Sequence, residues 1–161
     1  MAIHRLYIDE FETINYSLVA IHTNLEDYRL AYFINENLNL KLKKNHKDIF
    51  VNIPEGEINF TSFLFDDIKN DVLWNLFENN NQIKIKNSAT KFDLFKDSNI
   101  ESSKKVYVLP EFKKVDYFLK IDHQVFIEMP TLITNLKRID SVSAVYSIDI
   151  DKIKNKNNLI F

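Results

Sequence analysis

Residues 115–150 read VDYFLKIDHQVFIEMPTLITNLKRIDSVSAVYSIDI, and this stretch decides the fold that we predict for the chain. Apolar residues at every second position over 115–121 predict a strand. Pro130 favours the first turn of a helix, and apolar residues three and four apart continue that helix over 129–139. Alternation returns over 142–150. The stretch therefore predicts a β-α-β unit.

Residues 12–43 predict a second unit of the same kind. A long alternating run over 12–22 indicates a strand. Asn24 then stands where an N-cap belongs, and the spacing of apolar residues predicts a helix over about 25–37. A short alternating run at 40–43 indicates the strand that completes the unit.

The region between these units predicts an antiparallel meander. Strand candidates cover 48–53, 58–65, 72–77 and 82–86, and the turns between them are rich in asparagine and aspartate, which favour turns. We therefore expect an α+β fold with two β-α-β units, a central antiparallel meander and the helices packed on one face of the sheet. The units are similar in pattern to ferredoxin-like or ACT-like elements.

Length and composition are those of one ordinary globular domain. The chain has 161 residues, of which 45% are hydrophobic and 27% charged, so we expect a single domain over 1–161. The polar stretch 88–104 is typical of a mobile loop, and 151–161 of a polar tail. The first residues lack the apolar core of a signal peptide, and no apolar run approaches the ~18 residues of a membrane helix. These features predict a cytoplasmic protein with no membrane partner.

The scarcity of glycine and cysteine excludes several classes of site. Gly56 is the single glycine, and there is no cysteine. Phosphate-binding loops, dinucleotide fingerprints and nucleophile elbows need several glycines, so we expect no nucleotide cofactor. The four histidines have no spacing typical of metal ligands, so no metal site is predicted either.

One short motif carries a resemblance to a known family. Leu109 and Pro110-Glu111 are followed after three residues by Val115-Asp116-Tyr117, which resembles the signature of the IPExxxVDY family of Bacteroidota. Leu109 stands where the family name has isoleucine, and residues 27–32 are loosely similar to the family's first helix. The resemblance implies a small cytoplasmic protein, but it transfers no catalytic or binding residue because the family has none assigned.

The motif residues have a functional and a structural interpretation. Pro110, Glu111, Val115, Asp116 and Tyr117 could form a binding surface. Alternatively, Pro110 opens a turn, Glu111 caps backbone amides, and Tyr117 lies in the core on the same face as Val115. In that case Asp116 points outward, near Lys114 or Lys120.

Three hypotheses for function follow. The preferred one is a non-catalytic module that binds a protein partner or itself, because 13 Phe, seven Tyr and one Trp are more aromatic residues than a small core easily hides. The alternative is an RNA-associated accessory protein, which lysine groups at 41–47, 113–114 and 152–156 would support. However, the net charge of −2 argues against strong attraction to phosphate.

The third hypothesis is a small acid/base enzyme that uses Glu111, Asp116 or His123. Among the histidines, His123 is adjacent in sequence to an acid, Asp122, and close to the motif. No serine has a sequence context that indicates activation. We therefore predict no catalytic residue.

Overall fold

The structure is a computed structural model that describes residues 16–86 and 101–161. It contains ten strands and two α-helices in those ranges. In chain order they are β1 (Tyr16–Thr23), α1 (Asp27–Leu38), β2 (Lys43–Lys44), β3 (Ile49–Ile53), β4 (Gly56–Phe60), β5 (Ser62–Asp67), β6 (Val72–Glu78), β7 (Asn80–Lys86), β8 (Glu101–Tyr107), β9 (Tyr117–His123), α2 (Met129–Lys137) and β10 (Val142–Ile148). Short 3-10 turns cover Pro110–Phe112, Ile150–Lys152 and Lys156–Leu159.

The strands form one large sheet and two separate hairpins. The large sheet has six strands in the order β10-β1-β9-β6-β5-β2, and each neighbouring pair is antiparallel. β3 pairs with β4, and β7 pairs with β8, as two-stranded antiparallel sheets. The prediction of a mixed α+β fold is confirmed at this level.

The two predicted β-α-β units agree with the structure to different extents. β9 and β10 are both antiparallel to β1 and lie on either side of it. They therefore run in the same direction, with α2 connecting them. The strand predicted over 40–43 is only Lys43–Lys44, and it lies at the far edge of the sheet.

The large sheet is covered on both faces, so the side chains of its central strands point alternately into two hydrophobic cores. In β1, Val19 and Ile21 face the helices, whereas Leu18 and Ala20 face the hairpins. Apolar residues of α1 and α2 pack on the first face. The second face is covered by apolar residues of β3, β4, β8 and the segment that follows β10.

Several local predictions are corrected by this arrangement. The run at 58–65, predicted as one strand, is broken at Thr61 between β4 and β5. The aromatic residues of this region divide between the two faces, since Phe63 and Trp74 lie among the helices and Phe60 lies under the hairpins. The predicted helix over 25–37 begins at Asp27, with Glu26 rather than Asn24 at the N-cap.

The predicted loop and tail overlap elements of the fold. Residues 88–100 of the loop lie outside the described residues, and 101–104 form the start of β8. In the segment predicted as a tail, Ile153 and Leu159 are buried in the hairpin-side core. These two side chains explain why this polar stretch packs against the sheet.

Asn79 is the buried polar residue that holds the motif segment in place. It separates β6 from β7 and is fully buried. Its Nδ2 donates hydrogen bonds to the carbonyls of Phe112 and Val115, at 2.9 and 3.1 Å. Its Oδ1 accepts one from the Leu109 N–H at 2.9 Å. One carboxamide therefore satisfies three main-chain groups of residues 109–115.

We expect Asn79→Ala to destabilise the fold strongly. The substitution leaves the three main-chain groups without this partner, and a buried unsatisfied group costs about 1–3 kcal/mol. We expect a loss of about 3 kcal/mol or more in the free energy of unfolding, measured by urea denaturation. The control is Asn81→Ala, which removes an exposed amide and should cost less than about 1 kcal/mol. Equal losses in the two variants would contradict the role of Asn79.

Candidate functional site

The motif residue Glu111 binds the segment that follows β10. Its carboxylate accepts hydrogen bonds from the N–H of Lys154 at 2.7 Å and from the N–H and Nδ2 of Asn155 at 3.0 and 2.8 Å. Burial alone raises the pKa of Glu111, but the hydrogen bonds from Asn155 and Lys154 outweigh it, so that the pKa lies below its ordinary value. Pro110 begins the 3-10 turn that presents this carboxylate.

The other motif residues connect the start of β9 to the end of β1 and to the loop that follows it. Asp116 Oδ2 accepts a hydrogen bond from the Thr23 N–H at 2.9 Å. The Tyr117 hydroxyl donates to the Leu25 carbonyl at 2.9 Å. Val115 is buried in the hairpin-side core. The motif therefore braces three segments of the chain against each other.

These positions correct one detail of the structural interpretation and add a second. Val115 and Tyr117 were expected on one face, but Tyr117 lies in the helix-side core and Val115 in the other. The backbone enters β9 only at Tyr117, so strand alternation does not extend back to Val115. For Asp116, the structure adds a partner that the sequence did not indicate, the main-chain N–H of Thr23.

Asp116 and Tyr117 also line an acidic cavity of about 400 Å³. The other carboxylates of its wall are Glu26 and Asp27, from the N-terminus of α1, and Glu78, from the end of β6. Burial raises the pKa of Glu78, and the negative charges of Asp27 and Asp116 raise it further. The concentration of negative charge makes this cavity unfavourable for anions.

The same surroundings act on the Tyr117 hydroxyl. Burial raises the pKa of Tyr117, and the nearby charge of Glu78 adds to this effect. Tyr117 therefore stays neutral at physiological pH and serves as a hydrogen-bond donor. Within residues 16–86 and 101–161, no group of three or more His, Asp or Glu residues is arranged to hold a metal ion.

Lys120 is a second unusual charged group, which the sequence did not single out. It is 7% exposed and lies in the middle of β9. Its Nζ lies 3.0 Å from an Asp122 oxygen, 5.3 Å from the Tyr16 ring centre and 5.1 Å from that of Phe161. The carboxylate and the two aromatic faces compensate for the loss of water around this ammonium group.

A serine–histidine contact was also missed, because its partners are far apart in sequence. Ser17 Oγ lies 2.9 Å from His123 Nε2, and His123 Nδ1 lies 2.8 Å from the Val125 carbonyl. The carbonyl requires a proton on Nδ1, so in the neutral tautomer Nε2 accepts a hydrogen bond from the Ser17 hydroxyl. His123 lines a cavity of about 280 Å³ whose lining does not include Ser17. We therefore interpret the contact as a connection between β1 and the turn after β9.

The lysine groups that support RNA association lie on different parts of the fold. Lys43 and Lys44 form β2, with Lys41 and Lys47 exposed beside it in sequence. Lys113 and Lys114 follow the 3-10 turn of the motif, and the third group lies in the segment after β10. RNA association stays a prediction.

β10 is the longer of the two edge strands of the six-stranded sheet, with seven residues against two in β2. Among the described residues its only partner strand is β1, so no strand in that part of the chain pairs with the outer side of β10. The strand reads VSAVYSI and contains no charged residue, glycine or proline. Tyr146, the fifth residue of the strand, is 42% exposed. Its ring stacks on His22 at 5.5 Å, and its hydroxyl lies 3.0 Å from His22 Nε2.

Comparisons of the chain with protein-family models, with curated proteins and with solved structures found no match. The resemblance to the IPExxxVDY family therefore stays a prediction. No helix within residues 16–86 and 101–161 is long and apolar enough to cross a membrane.

We expect Glu78→Gln to stabilise the protein at neutral pH. A raised pKa means that the ionised carboxylate is disfavoured in the fold. This cost is absent below the unfolded pKa of about 4.3 and complete above the higher folded pKa. Because Glu78 is only partly buried, water screens the repulsion, and the expected rise in Tm at pH 7 is on the order of 1–2 °C. At pH 4 the difference should vanish.

The matched control for this prediction is Glu57→Gln, at an exposed position of β4. It should leave Tm unchanged at both pH values. A fall in Tm of Glu78→Gln at pH 7 would mean that the ionised carboxylate is stabilised by its neighbours, contrary to the direction of its pKa.

We expect Glu111→Ala to release the segment after β10. The variant loses three hydrogen bonds to a charged acceptor, so trypsin cleavage after Lys154 and Lys156 should become faster by about tenfold or more. In the wild type the attachment should be complete above the ordinary glutamate pKa of about 4.3. It should be lost as the pH falls through the lower folded pKa, which hydrogen exchange of residues 153–160 would show. Unchanged cleavage in the variant would refute this role.

Proposed function

We propose that this protein is a non-catalytic interaction module that accepts an extended strand, from a protein partner or from itself, along the outer edge of β10. The observation that carries the proposal is that the described residues place neither a second strand nor a charged side chain on that edge, although a β-bulge opposite His22 and Thr23 interrupts its pairing with β1. Seven consecutive residues of β10 have no charge, glycine or proline. Exposed edges of this kind are the usual template for strand addition.

The opposite edge of the same sheet supports this interpretation by contrast. β2 has two residues, and both are exposed lysines. A short, charged strand is a common way in which proteins prevent edge-to-edge pairing. Among the described residues, charged side chains therefore protect the β2 edge of this sheet and not the β10 edge.

Tyr146 adds an apolar contact beside the available edge. It lies on the face of the sheet away from the helices, since it pairs with Ala20 of the hairpin-side core. Stacking on His22 fixes the ring orientation before any partner arrives, and an exposed, ordered tyrosine is a frequent anchor in interfaces. A partner strand next to β10 would cover part of this ring.

The strand order of the large sheet also supports a more specific description of the fold. We propose that β1, α1, β6, β9, α2 and β10 form a ferredoxin-like core. The order β10-β1-β9-β6 and the antiparallel pairing of all neighbours support it, because β1 and β6 then run parallel around β9. In this description, β2 to β5 and the β7–β8 hairpin are insertions, and the second strand of the first unit is β6 rather than residues 40–43.

The enzyme hypothesis has less support from the same contacts. The carboxylates of Glu111 and Asp116 accept hydrogen bonds from main-chain N–H groups, and both ring nitrogens of His123 have partners. The three residues bind different segments of the chain. The alternative of an RNA-associated protein rests on lysines spread over several elements.

The proposed function is tested by placing a single lysine on the edge. Ser147→Lys adds a charge at an exposed position of β10, and Asn52→Lys adds the same charge at an exposed position of β3. We expect wild type and Asn52→Lys to associate equally, with themselves or with a protein retained from native lysate. Ser147→Lys should weaken that association by about tenfold or more, measured by light scattering and by quantitative pull-down. Equal behaviour of the two variants would refute the edge as the binding site.

A further inference from the structure

We propose that residues 41–50 form a binding site for single-stranded nucleic acid, in which lysine side chains contact the phosphates and Phe50 stacks on a base. This segment lies at the β2 edge of the large sheet, at the opposite end from β10. The inference therefore goes beyond the proposed function and does not depend on it. Proteins that bind single strands combine positive charge along the backbone of the nucleic acid with aromatic side chains that stack on its bases.

The lysines and Phe50 follow one another along a continuous stretch of edge. β2 pairs with β5 and β3 pairs with β4, and Thr61 alone separates β4 from β5. Between the two sets of pairs, the Asn45 N–H donates a hydrogen bond to the Ser62 carbonyl at 2.8 Å. The chain from β2 to β3 therefore runs beside the same two consecutive strands, and an extended ligand can follow it from the lysines to Phe50.

The charge of this segment is opposite in sign to that of the whole chain. Residues 41–50 contain four lysines, at positions 41, 43, 44 and 47, against one acid, Asp48, whereas the chain has a net charge of −2. All four lysines are exposed. Among residues 16–86 and 101–161, none of the four forms an ion pair. Their ammonium groups can therefore contact phosphates without breaking an existing interaction, and phosphate contacts of this kind dominate affinity for nucleic acids.

Protection of the β2 edge explains only part of this segment. Lys43 and Lys44 form β2 and hinder the addition of a strand there. Lys41 and Lys47 lie outside β2, so protection of the edge does not require them. His46 is exposed beside Lys47 and offers a further hydrogen-bond donor for a phosphate oxygen.

Phe50 provides the surface for a base. Ile49 and Val51 of β3 are buried in the hairpin-side core, so Phe50 between them points outward. Its side chain is 54% exposed, although the 3-10 turn at Lys156–Leu159 packs against β3. Within the described part of the chain its ring makes no contact with another aromatic ring. Single strands have bases that can stack on such a ring, which favours them over a polyanion without bases.

The phosphate contacts are tested with Lys41→Gln/Lys47→Gln, which keeps both lysines of β2. The matched control is Lys113→Gln/Lys114→Gln, which removes the same charge from exposed positions elsewhere. The probes are fluorescein-labelled oligouridine and oligothymidine of about 12 nucleotides. Fluorescence anisotropy between about 50 and 200 mM salt gives their dissociation constants, and circular dichroism checks that each variant is folded.

For wild type, we expect the logarithm of the association constant to fall with the logarithm of the salt concentration. The slope should be about −3, because each of four phosphate contacts contributes about −0.7. In Lys41→Gln/Lys47→Gln the slope should be about −1.4, and binding at low salt should be weaker by about tenfold or more. The control should have the slope of wild type.

The stacking contact is tested with Phe50→Ala. This variant should bind both oligomers more weakly by about fivefold or more, with an unchanged slope, because stacking releases no counterions. Asn52→Ala removes another exposed side chain from the same face of β3, and it should bind like wild type. Inorganic polyphosphate, which has charge but no bases, should bind Phe50→Ala and wild type equally.

The outcomes distinguish a nucleic-acid site from general attraction of anions. No binding of either oligomer at low salt, or equal slopes for the two lysine double variants, would overturn the site. Unchanged binding of the oligomers to Phe50→Ala would overturn nucleic acid as the ligand and leave only a surface that attracts polyanions. Tighter binding of oligouridine than of oligothymidine would identify RNA, and the reverse would identify DNA. Failure of this site would leave the proposed function standing, since Ser147→Lys tests the opposite edge of the sheet.

Discussion

The fold depends on burying both faces of β9. Its first five residues are buried, with Leu119 against the helices and Phe118 against the hairpin side. A strand in this position cannot use polar residues on either face unless they find partners inside the protein. Lys120 is the exception, and its contacts with Asp122 and two aromatic rings show what such an exception requires.

The motif residues stabilise the segment that leads into β9, where the two cores meet. Both cores meet at the entrance to β9, where the chain must pass from the hairpin side to the sheet. Asn79 satisfies the main chain of that passage, Asp116 and Tyr117 fasten it to the loop after β1, and Glu111 fastens the segment after β10. The cluster of carboxylates around Glu78 is a consequence of bringing these segments together, and it carries a cost in repulsion.

Sequence patterns predicted the elements with strong periodicity, but they failed where tertiary contacts determine the ends and connections of the strands. The strand, helix and strand over 115–150 were predicted because their apolar residues repeat at strand and helix spacing. The break at Thr61 and the single-residue connection at Asn79 were not, because both depend on hydrogen bonds to distant segments. For the candidate site, the sequence identified Asp116 and Tyr117 but not Glu78, which the pairing of β6 with β9 places beside Tyr117, or Asp27, which the packing of α1 brings to the same cavity. The edge position of β10 is equally invisible in sequence, since it depends on β1 pairing between β9 and β10.

The unequal edges of the sheet have a consequence for how assemblies of this chain could grow. A sheet that accepts strands at both ends can extend without limit, which is the route to fibrils. Here β2 is short and carries two exposed lysines, so the addition of a strand at the β10 edge would leave the other end of the six-stranded sheet protected. Growth of this sheet would then stop after one addition, and crowded conditions would favour a defined complex over a filament.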